Sequence, residues 1–233
     1  MKVLVAGGAG FLGSHLVNHY LRRGDEVAAV DNLSTGSWGN VPGEAPNFHA
    51  HKIDLGVHVA HADDPLNKFE PDLVLHFASI CGPPIYVSRP VETLRAGSIA
   101  TERLLMLARA CGARFVLAST SEVYGNPEVT PQPEDYPGRV DCTGIRACYD
   151  EAKRYAEAIT LAYYRTCDVD VRIARIFNSY GSRFPDDGRV ISNFVRAAVK
   201  GKPLVVYGDG LQTRSPTYVD DTVEGIVRLA GAD

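Results

Sequence analysis

Cysteine is scarce in this 233-residue sequence, and its five cysteines include no C-x-x-C pair. An odd number of thiols cannot pair completely, and closely spaced pairs are typical of zinc or redox sites. The pattern therefore predicts reduced thiols in a cytoplasmic protein. The five positions are Cys81, Cys111, Cys142, Cys148 and Cys167.

Long runs of one residue class are also missing. The 24 Lys and Arg and 28 Asp and Glu give a net charge of −4, and no basic run marks a nucleic-acid interface. No apolar stretch approaches the roughly 20 residues of a membrane span, and the N-terminus enters a strand directly, which predicts no signal peptide. With 45% hydrophobic and 22% charged residues, the chain is typical of one globular domain with a sizeable core.

Histidines crowd one region of the chain without the usual companions of a metal site. His49, His51, His58 and His61 lie close together in the sequence. No cysteine or carboxylate accompanies them at the spacing of a zinc site. We therefore expect a polar loop rather than a metal site.

A glycine-rich turn near the N-terminus is the strongest positive pattern. The segment Lys2 to Ala6 has the composition of a buried strand, GGAGFLG follows at residues 7–13, and an amphipathic helix extends to about Arg23. A second apolar strand begins at Glu26 and ends at Asp31. Such glycines let the backbone approach a pyrophosphate, and the helix N-terminus offers it free N–H groups. The order predicts dinucleotide binding, and the acid favours NAD because it accepts hydrogen bonds from ribose hydroxyls and repels a 2′-phosphate.

A second pattern is the pair Tyr149 and Lys153, four residues apart in a segment with helical character. They lie on one helix face, a turn apart. A neighbouring ammonium favours the phenolate, so the pair predicts a tyrosine base with a lowered pKa. Alone, the spacing is equally compatible with a surface helix that carries a tyrosine.

Strands and helices alternate along the rest of the chain, which predicts a Rossmann-type doubly wound parallel sheet over residues 1–176. Pro83, Pro84 and Pro90 predict an irregular stretch before a helix over residues 91–111 that breaks near Gly97. Residues 177–233 do not continue the regular alternation of strands and helices. They predict turns, a helix over residues 189–201, a short strand over residues 204–207 and a final apolar helix. We interpret residues 177–233 as part of a small substrate-binding lobe, which we expect to be incomplete. The remaining predicted strands cover residues 48–53, 72–77, 113–119 and 169–176, and a helix covers about residues 149–166.

Several segments together resemble the extended short-chain dehydrogenase/reductase family of nucleotide-sugar enzymes, and within it the UDP-glucuronate decarboxylases (UDP-xylose synthases). The segments are GGAGFLGSHL (7–16), VDNLSTG (30–36), LASTSEVYGNPEVTPQPEDY (117–136), RACYDEAKR (146–154), RIFNSYG (175–181), DGRVISNF (187–194) and VYGDGLQTR (206–214).

The resemblance implies roles for individual residues. The implied catalytic residues are Thr120, Glu122, Tyr149 and Lys153. The implied NAD-binding residues are Gly7, Gly10, Phe11, Leu12, Gly13, Asp31, Asn32, Asp54 and Arg189. The implied UDP-sugar ligands are Asn178, Tyr207 and Arg214, and the resemblance also implies a homodimer through two paired helices.

The resemblance implies NAD-dependent conversion of UDP-glucuronate to UDP-xylose by C4 oxidation, loss of carbon dioxide from the 4-keto sugar and re-reduction at C4. A 4-epimerase remains the alternative. A 4,6-dehydratase needs an acid where Ser121 stands, and a non-catalytic NAD-binding protein would have no need of Tyr149 and Lys153. For three residues a structural role stays open: Glu122 as a cap of the next turn, Arg214 as a solvated charge and Asn178 as a turn former.

The sequence also departs from the family pattern around the sugar pocket. The family has Asn near Gly97 and Pro near Ile145, and the stretch Ile80–Cys81–Gly82 differs from its usual sequence. These departures leave the exact sugar open.

Overall fold

The computed structural model of the chain describes residues 1–43, 45–58 and 64–233. Six parallel strands form one sheet in the order β3-β2-β1-β4-β5-β6. The chain reverses direction across the sheet between β1 and β4, which is where doubly wound sheets bind their ligands. The strands are β1 Lys2–Ala6, β2 Glu26–Asp31, β3 Phe48–Lys52, β4 Leu73–His76, β5 Arg114–Thr120 and β6 Val171–Ile176.

Helices cover both faces of the sheet, so the strands alternate between two cores. In β1, Leu4 packs with the helices on one face, and Val3 and Val5 pack on the other. This alternation follows from the two-residue period of a strand, and it confirms the doubly wound prediction. The helices are α1 Phe11–Arg22, α2 Pro83–Ser88, α3 Pro90–Gly97, α4 Ile99–Cys111, α5 Ala147–Cys167, α6 Val190–Val199 and α7 Val219–Gly231.

Helix α7 packs beside α1 rather than in a separate lobe. Its apolar residues Val219, Val223 and Ile226 are buried in the same core as Val3 and Leu16. Helix α7 therefore shares a core with β1 and α1, and the division at residue 176 stays a prediction. A second, two-stranded parallel sheet, β7 Ser179–Tyr180 with β8 Thr217–Tyr218, leads the chain back to α7.

Two local predictions are wrong. The stretch after Pro83 is helical, because Pro83 and Pro90 each stand at the start of a helix, where a missing N–H costs nothing. Residues 204–207 form no strand, because no strand of the described residues pairs with them. Their side chains are exposed. The predicted break near Gly97 is confirmed, since α3 ends there and α4 begins at Ile99.

The histidine-rich region is partly a strand. His49 and His51 lie in β3, and the imidazole of His49 contacts the Glu26 carboxylate at 3.1 Å. His58 lies in the loop that follows, and His61 lies outside the described residues. Within the described ranges, no three His, Cys, Asp or Glu side chains are grouped as metal ligands, and no helix there has the length and apolarity to cross a membrane.

Candidate active site

A cavity of about 1190 Å³ opens at the carboxyl ends of the central strands. It brings together residues that are far apart in the sequence but were predicted to act in one site. Its lining includes Gly7, Gly10, Phe11, Leu12, Gly13, Thr120, Glu122, Tyr149, Lys153, Asn178, Arg189 and Arg214.

The glycine turn fits the approach of a pyrophosphate. Gly7 has φ +77°, and a Cβ there would lie 2.6 Å from the carbonyl of Phe77. A Cβ on Gly13 would lie 2.0 Å from the carbonyl oxygen of Gly7, so helix α1 can approach the turn only without a side chain there. Gly10 precedes the first residue of α1, and no side chain of the described residues caps this end. The uncapped N–H groups therefore face the cavity as an anion site.

Asp31 ends β2 beside a second cavity of about 330 Å³, which Asn32 and Asp54 also line. Its carboxylate accepts hydrogen bonds from the backbone N–H groups of Ala9 at 3.1 Å and Leu33 at 2.8 Å. Burial raises the pKa of Asp31, and these two hydrogen bonds oppose that shift. An acid at the strand end and a glycine cradle together fit the adenosine ribose and the pyrophosphate of a dinucleotide.

Tyr149 and Lys153 lie on the sheet-facing side of α5, as the spacing predicts, and both are buried. The Lys153 ammonium donates a hydrogen bond to the carbonyl of Ala118 at 2.8 Å. The Tyr149 ring stacks on Tyr86, with ring centres 4.9 Å apart. Its hydroxyl lies 3.8 Å from the sulfur of Cys81.

The predicted lowering of the Tyr149 pKa by Lys153 is wrong for this structure. Burial raises the pKa of Tyr149 well above its usual value, and the nearby Cys81 raises it further. A hydrogen bond with Thr120 and the charge of Arg189 lower it, but they do not offset burial. Burial also lowers the pKa of Lys153, although Cys81 and Glu157 oppose this. The tyrosine is therefore a desolvated phenol in this state.

Thr120 ends β5, and Glu122 follows in a 3-10 turn, Ser121–Tyr124. The Thr120 hydroxyl, not the Glu122 carboxylate, caps this turn by accepting the N–H of Glu122 at 3.3 Å. The Glu122 carboxylate instead forms an ion pair with the Arg146 guanidinium. Glu122 thus faces another cavity residue.

A charged network beneath the site was missed from the sequence. Glu157 lies one turn after Lys153 on α5, and its carboxylate accepts hydrogen bonds from Ser119 at 2.5 Å and from Arg175 at 2.9 and 2.8 Å. This network joins α5 to β5 and β6. The four-residue spacing from Lys153 to Glu157 was the available signal.

Three of the remaining predicted ligands line the main cavity, and one does not. Arg189 lines the cavity, is ion-paired with the buried Asp187 at 2.7 Å, and stacks over the Phe184 ring at 4.4 Å. Asn178 and Arg214 line the same cavity. Tyr207 is 78% exposed and is not among the cavity residues.

Comparison with protein families gives a match to the NAD dependent epimerase/dehydratase family over residues 3–233. UDP-glucuronic acid decarboxylase 4 of Arabidopsis thaliana is 49% identical over 98% of this chain, which covers 51% of that protein. UDP-glucuronic acid decarboxylase 1 of Danio rerio is 47% identical over 100% of this chain and 54% of its own length. The chain therefore spans about half the length of these curated relatives.

Solved structures are similar over nearly the whole chain. UDP-N-acetylglucosamine 4-epimerase from Methanobrevibacter ruminantium has a TM-score of 0.88 at 28% identity and covers 100% of this chain and 73% of its own. UDP-glucuronic acid 4-epimerase from Bacillus cereus, solved with NAD, has a TM-score of 0.83 at 27% identity, with 97% and 72% covered.

Proposed function

Since this chain belongs to the NAD dependent epimerase/dehydratase family, we propose that it is an NAD-dependent decarboxylase that converts UDP-glucuronate to UDP-xylose. The observation that carries the proposal is the identity of 44–49% to proteins named UDP-glucuronic acid decarboxylase, over at least 98% of this chain. The solved epimerase neighbours quoted above are 27% and 28% identical. The site described above supplies the groups that the reaction needs.

The glycine cradle and Asp31 hold the cofactor, with Asn32 and Asp54 beside the second cavity. Arg189 lines the main cavity and would contact the same group. When bound, NAD would supply the hydride acceptor and donor for C4 of the sugar. The role of the protein is to position NAD, which supplies the hydride chemistry, against the sugar.

Tyr149 acts as the general base that takes the proton of the sugar 4-hydroxyl. Its hydroxyl oxygen faces the cavity, and Thr120 is the second hydroxyl at the same position, able to hydrogen-bond the sugar 4-oxygen. Lys153 supports this proton transfer from one helical turn away. Burial opposes the phenolate, so the form of Tyr149 that can take this proton needs a cation near it.

Loss of carbon dioxide then follows from the sugar itself. A 4-ketone with a carboxylate on C5 is a β-keto acid, so the C5–carboxylate electrons pass to the ketone as carbon dioxide leaves. The resulting enolate takes a proton at C5. We assign this proton transfer to Glu122, a carboxyl group that lines the cavity in the turn directly after Thr120.

Alternative reactions need other side chains. A 4,6-dehydratase needs an acid for the leaving 6-hydroxyl, and Ser121 is a poor acid. A 4-epimerase remains the second candidate, because solved neighbours carry that name and a cavity of about 1190 Å³ leaves a keto sugar room to rotate.

The UDP part of the substrate is assigned to the outer side of the cavity. Asn178 and Arg214 bind the diphosphate, and an arginine suits this role because its guanidinium pairs with phosphate in a bidentate manner. Tyr207 packs on the uridine, which requires the exposed segment that carries it to fold over the bound nucleotide.

We also assign a homodimer to the protein. Helices α3, α4 and α5 expose large apolar side chains on their outer faces, among them Leu94, Met106 and Tyr155. Covering an apolar helical face of this kind with a second copy is favourable in free energy.

The five cysteines are free thiols, which supports a reducing, cytoplasmic setting.

The proposed reaction is tested by incubating the protein with UDP-glucuronate and catalytic NAD while following carbon dioxide and the mass of the nucleotide sugar. We expect release of carbon dioxide and a UDP-pentose with an unchanged hydroxyl pattern. A 4-keto pentose would show that reduction is uncoupled. Isomerisation of a UDP-hexuronate or UDP-hexose without carbon dioxide would replace the decarboxylase with the epimerase.

A further inference from the structure

Arg146 is a cavity residue to which neither the sequence patterns nor the proposed mechanism gives a role. It directly precedes α5, and its carbonyl accepts the backbone N–H of Tyr149 at 2.9 Å. The base of the Arg146 side chain is therefore fixed relative to the reacting tyrosine. Its guanidinium reaches across to the Glu122 carboxylate in the turn after β5.

This ion pair is easily exchanged. The Arg146 side chain is 49% exposed and that of Glu122 is 33% exposed. Pairs this accessible to water add little to stability, so replacing one carboxylate with another is not costly. A guanidinium also has five N–H donors, enough for two carboxylates at once.

Three other cations of the cavity also contact protein groups. Lys153 is buried and donates to the Ala118 carbonyl. Arg189 is paired with Asp187, whose side chain is only 1% exposed, so withdrawing that cation would leave a buried charge uncompensated. Arg214 lies on an exposed segment and donates to the carbonyl of Thr213.

A second polar group points to a ligand beside Arg146. Tyr86 lines the cavity and is 2% exposed, and its ring stacks on Tyr149. Its hydroxyl is buried and lies within hydrogen-bonding reach of the Arg146 guanidinium. Burial raises the pKa of Tyr86, and the charge of Arg146 and its hydrogen bond oppose that shift. A hydroxyl donor and a guanidinium thus converge next to the catalytic tyrosine.

We propose that Arg146 is the residue that selects a sugar carboxylate, by giving up or sharing its ion pair with Glu122 when that carboxylate enters the cavity. The inference rests on the proposed function for the identity of the carboxylated ligand. It adds that binding of substrate frees the Glu122 carboxylate beside the sugar. Charge recognition and release of the acid then occur in one event.

The test compares UDP-glucuronate with UDP-glucose, which differ in charge at C6, by calorimetry on the NAD-loaded Tyr149→Phe protein. We expect a preference for UDP-glucuronate. Adding Arg146→Gln should weaken UDP-glucuronate by about tenfold or more and leave UDP-glucose within about twofold. Arg146→Lys should keep part of the preference, because lysine keeps the positive charge but lacks the paired N–H donors of a guanidinium. Arg139→Gln is the matched control, since Arg139 forms an exposed ion pair with Glu128 outside the cavity.

Equal weakening of both sugars, or an unchanged preference, would overturn the inference. If Arg146→Gln does not fold, Arg146→Lys decides, and a preference equal to that of Tyr149→Phe alone rejects the role. Carbon dioxide release by the unmutated protein is measured separately. If no carbon dioxide is released but the preference for UDP-glucuronate depends on Arg146, the decarboxylase is rejected and the role of Arg146 stands. If carbon dioxide is released but the preference does not depend on Arg146, the decarboxylase stands and the role of Arg146 is rejected.

Discussion

At the scale of single residues, Tyr149 carries the chemistry of the proposed reaction. Replacing Tyr149 with Phe keeps the ring that stacks on Tyr86 and removes only the oxygen that accepts the proton. We expect turnover to fall by about 10²–10⁴-fold, the usual contribution of a general base, with NAD affinity unchanged by titration calorimetry. Tyr155→Phe, on the same helix but 45% exposed, should keep full activity. Retention of most activity by Tyr149→Phe would refute the assignment.

Asp31 is the residue whose loss should be felt in cofactor affinity. We expect Asp31→Ala to weaken NAD by about 1–3 kcal/mol, the range for hydrogen bonds to a charged group. Part of this loss comes from the loops of Ala9 and Leu33, which the carboxylate ties together. Glu26→Ala at the other end of β2 serves as the control. Equal affinity of wild type and Asp31→Ala in calorimetry would reject the role.

His76 gives the protein a stability that depends on pH. Burial, together with the nearby charge of Lys153, lowers the pKa of His76 to about 3, although a backbone hydrogen bond at Ala96 opposes the shift. Below pH 6.5 the unfolded chain takes up a proton that the folded protein refuses, so stability falls as the pH drops from 6.5 towards 3. From pH 7.5 to pH 5 this amounts to about 2 kcal/mol.

The measurement is urea unfolding at pH 7.5 and pH 5. In His76→Gln the pH-dependent loss should shrink by about 2 kcal/mol, because glutamine does not titrate. His58→Gln, at an exposed position, should keep the wild-type loss. The same loss in His76→Gln as in wild type would show that His76 is not the group responsible.

The residues of the site were predictable where they belong to a local pattern or to a segment that resembles the family. Tyr149 and Lys153 share one helix face, and Gly7 to Gly13 form one turn, so their spacing in the sequence carried the information. The pairing of Glu122 with Arg146 joins residues 24 positions apart. No periodicity encodes such a contact, because it depends on how a strand end and a helix start meet in space.

At the scale of elements, the buried strands were predicted well because continuous apolar runs of about five residues are typical of strands buried in a parallel sheet. The proline-rich stretch was misjudged since the same residue both breaks a helix and starts one. The apolar character of residues 204–207 indicated a strand, but strand formation needs a partner edge. Among the described residues no edge faces this segment.

The crossing of α3 and α5 is sensitive to a single methyl group. A Cβ on Gly97 would lie 2.6 Å from both the Cβ and the carbonyl oxygen of Ala152, next to Lys153. Gly97→Ala should therefore destabilise the protein by about 1–3 kcal/mol, the usual range for overpacking. Ala152→Gly should rescue it only in part, because the carbonyl contact remains.

The matched control is another helical glycine with open surroundings. Gly225 lies in α7 and has no atom within 4 Å of its added Cβ. Gly225→Ala should stabilise the protein by up to about 1 kcal/mol through helix propensity. Chemical unfolding of both variants checks the opposite signs, and a neutral Gly97→Ala would show that the two helices can separate without loss.

At the scale of the whole molecule, the homodimer assigned above makes a mass prediction. We expect light scattering at micromolar concentration to give twice the protomer mass, and Leu94→Arg to reduce it to one, because a charge on the paired face is buried without a partner. Val129→Arg, also at an exposed apolar position, should leave the dimer intact. A protomer mass for the unmutated protein would sink the assignment.

The packing of α7 against β1 and α1 also governs how the chain must be made. Val219 to Ala230 cover Val3, Val5 and Leu16, yet the ribosome delivers them about 200 residues later. At about 5–20 residues per second, the nascent chain waits about 10–40 s for this helix. Throughout that interval the outer side of the first strand and helix is an uncovered apolar surface, of the kind that chaperones bind. This apolar core is therefore covered only after α7 has left the ribosome.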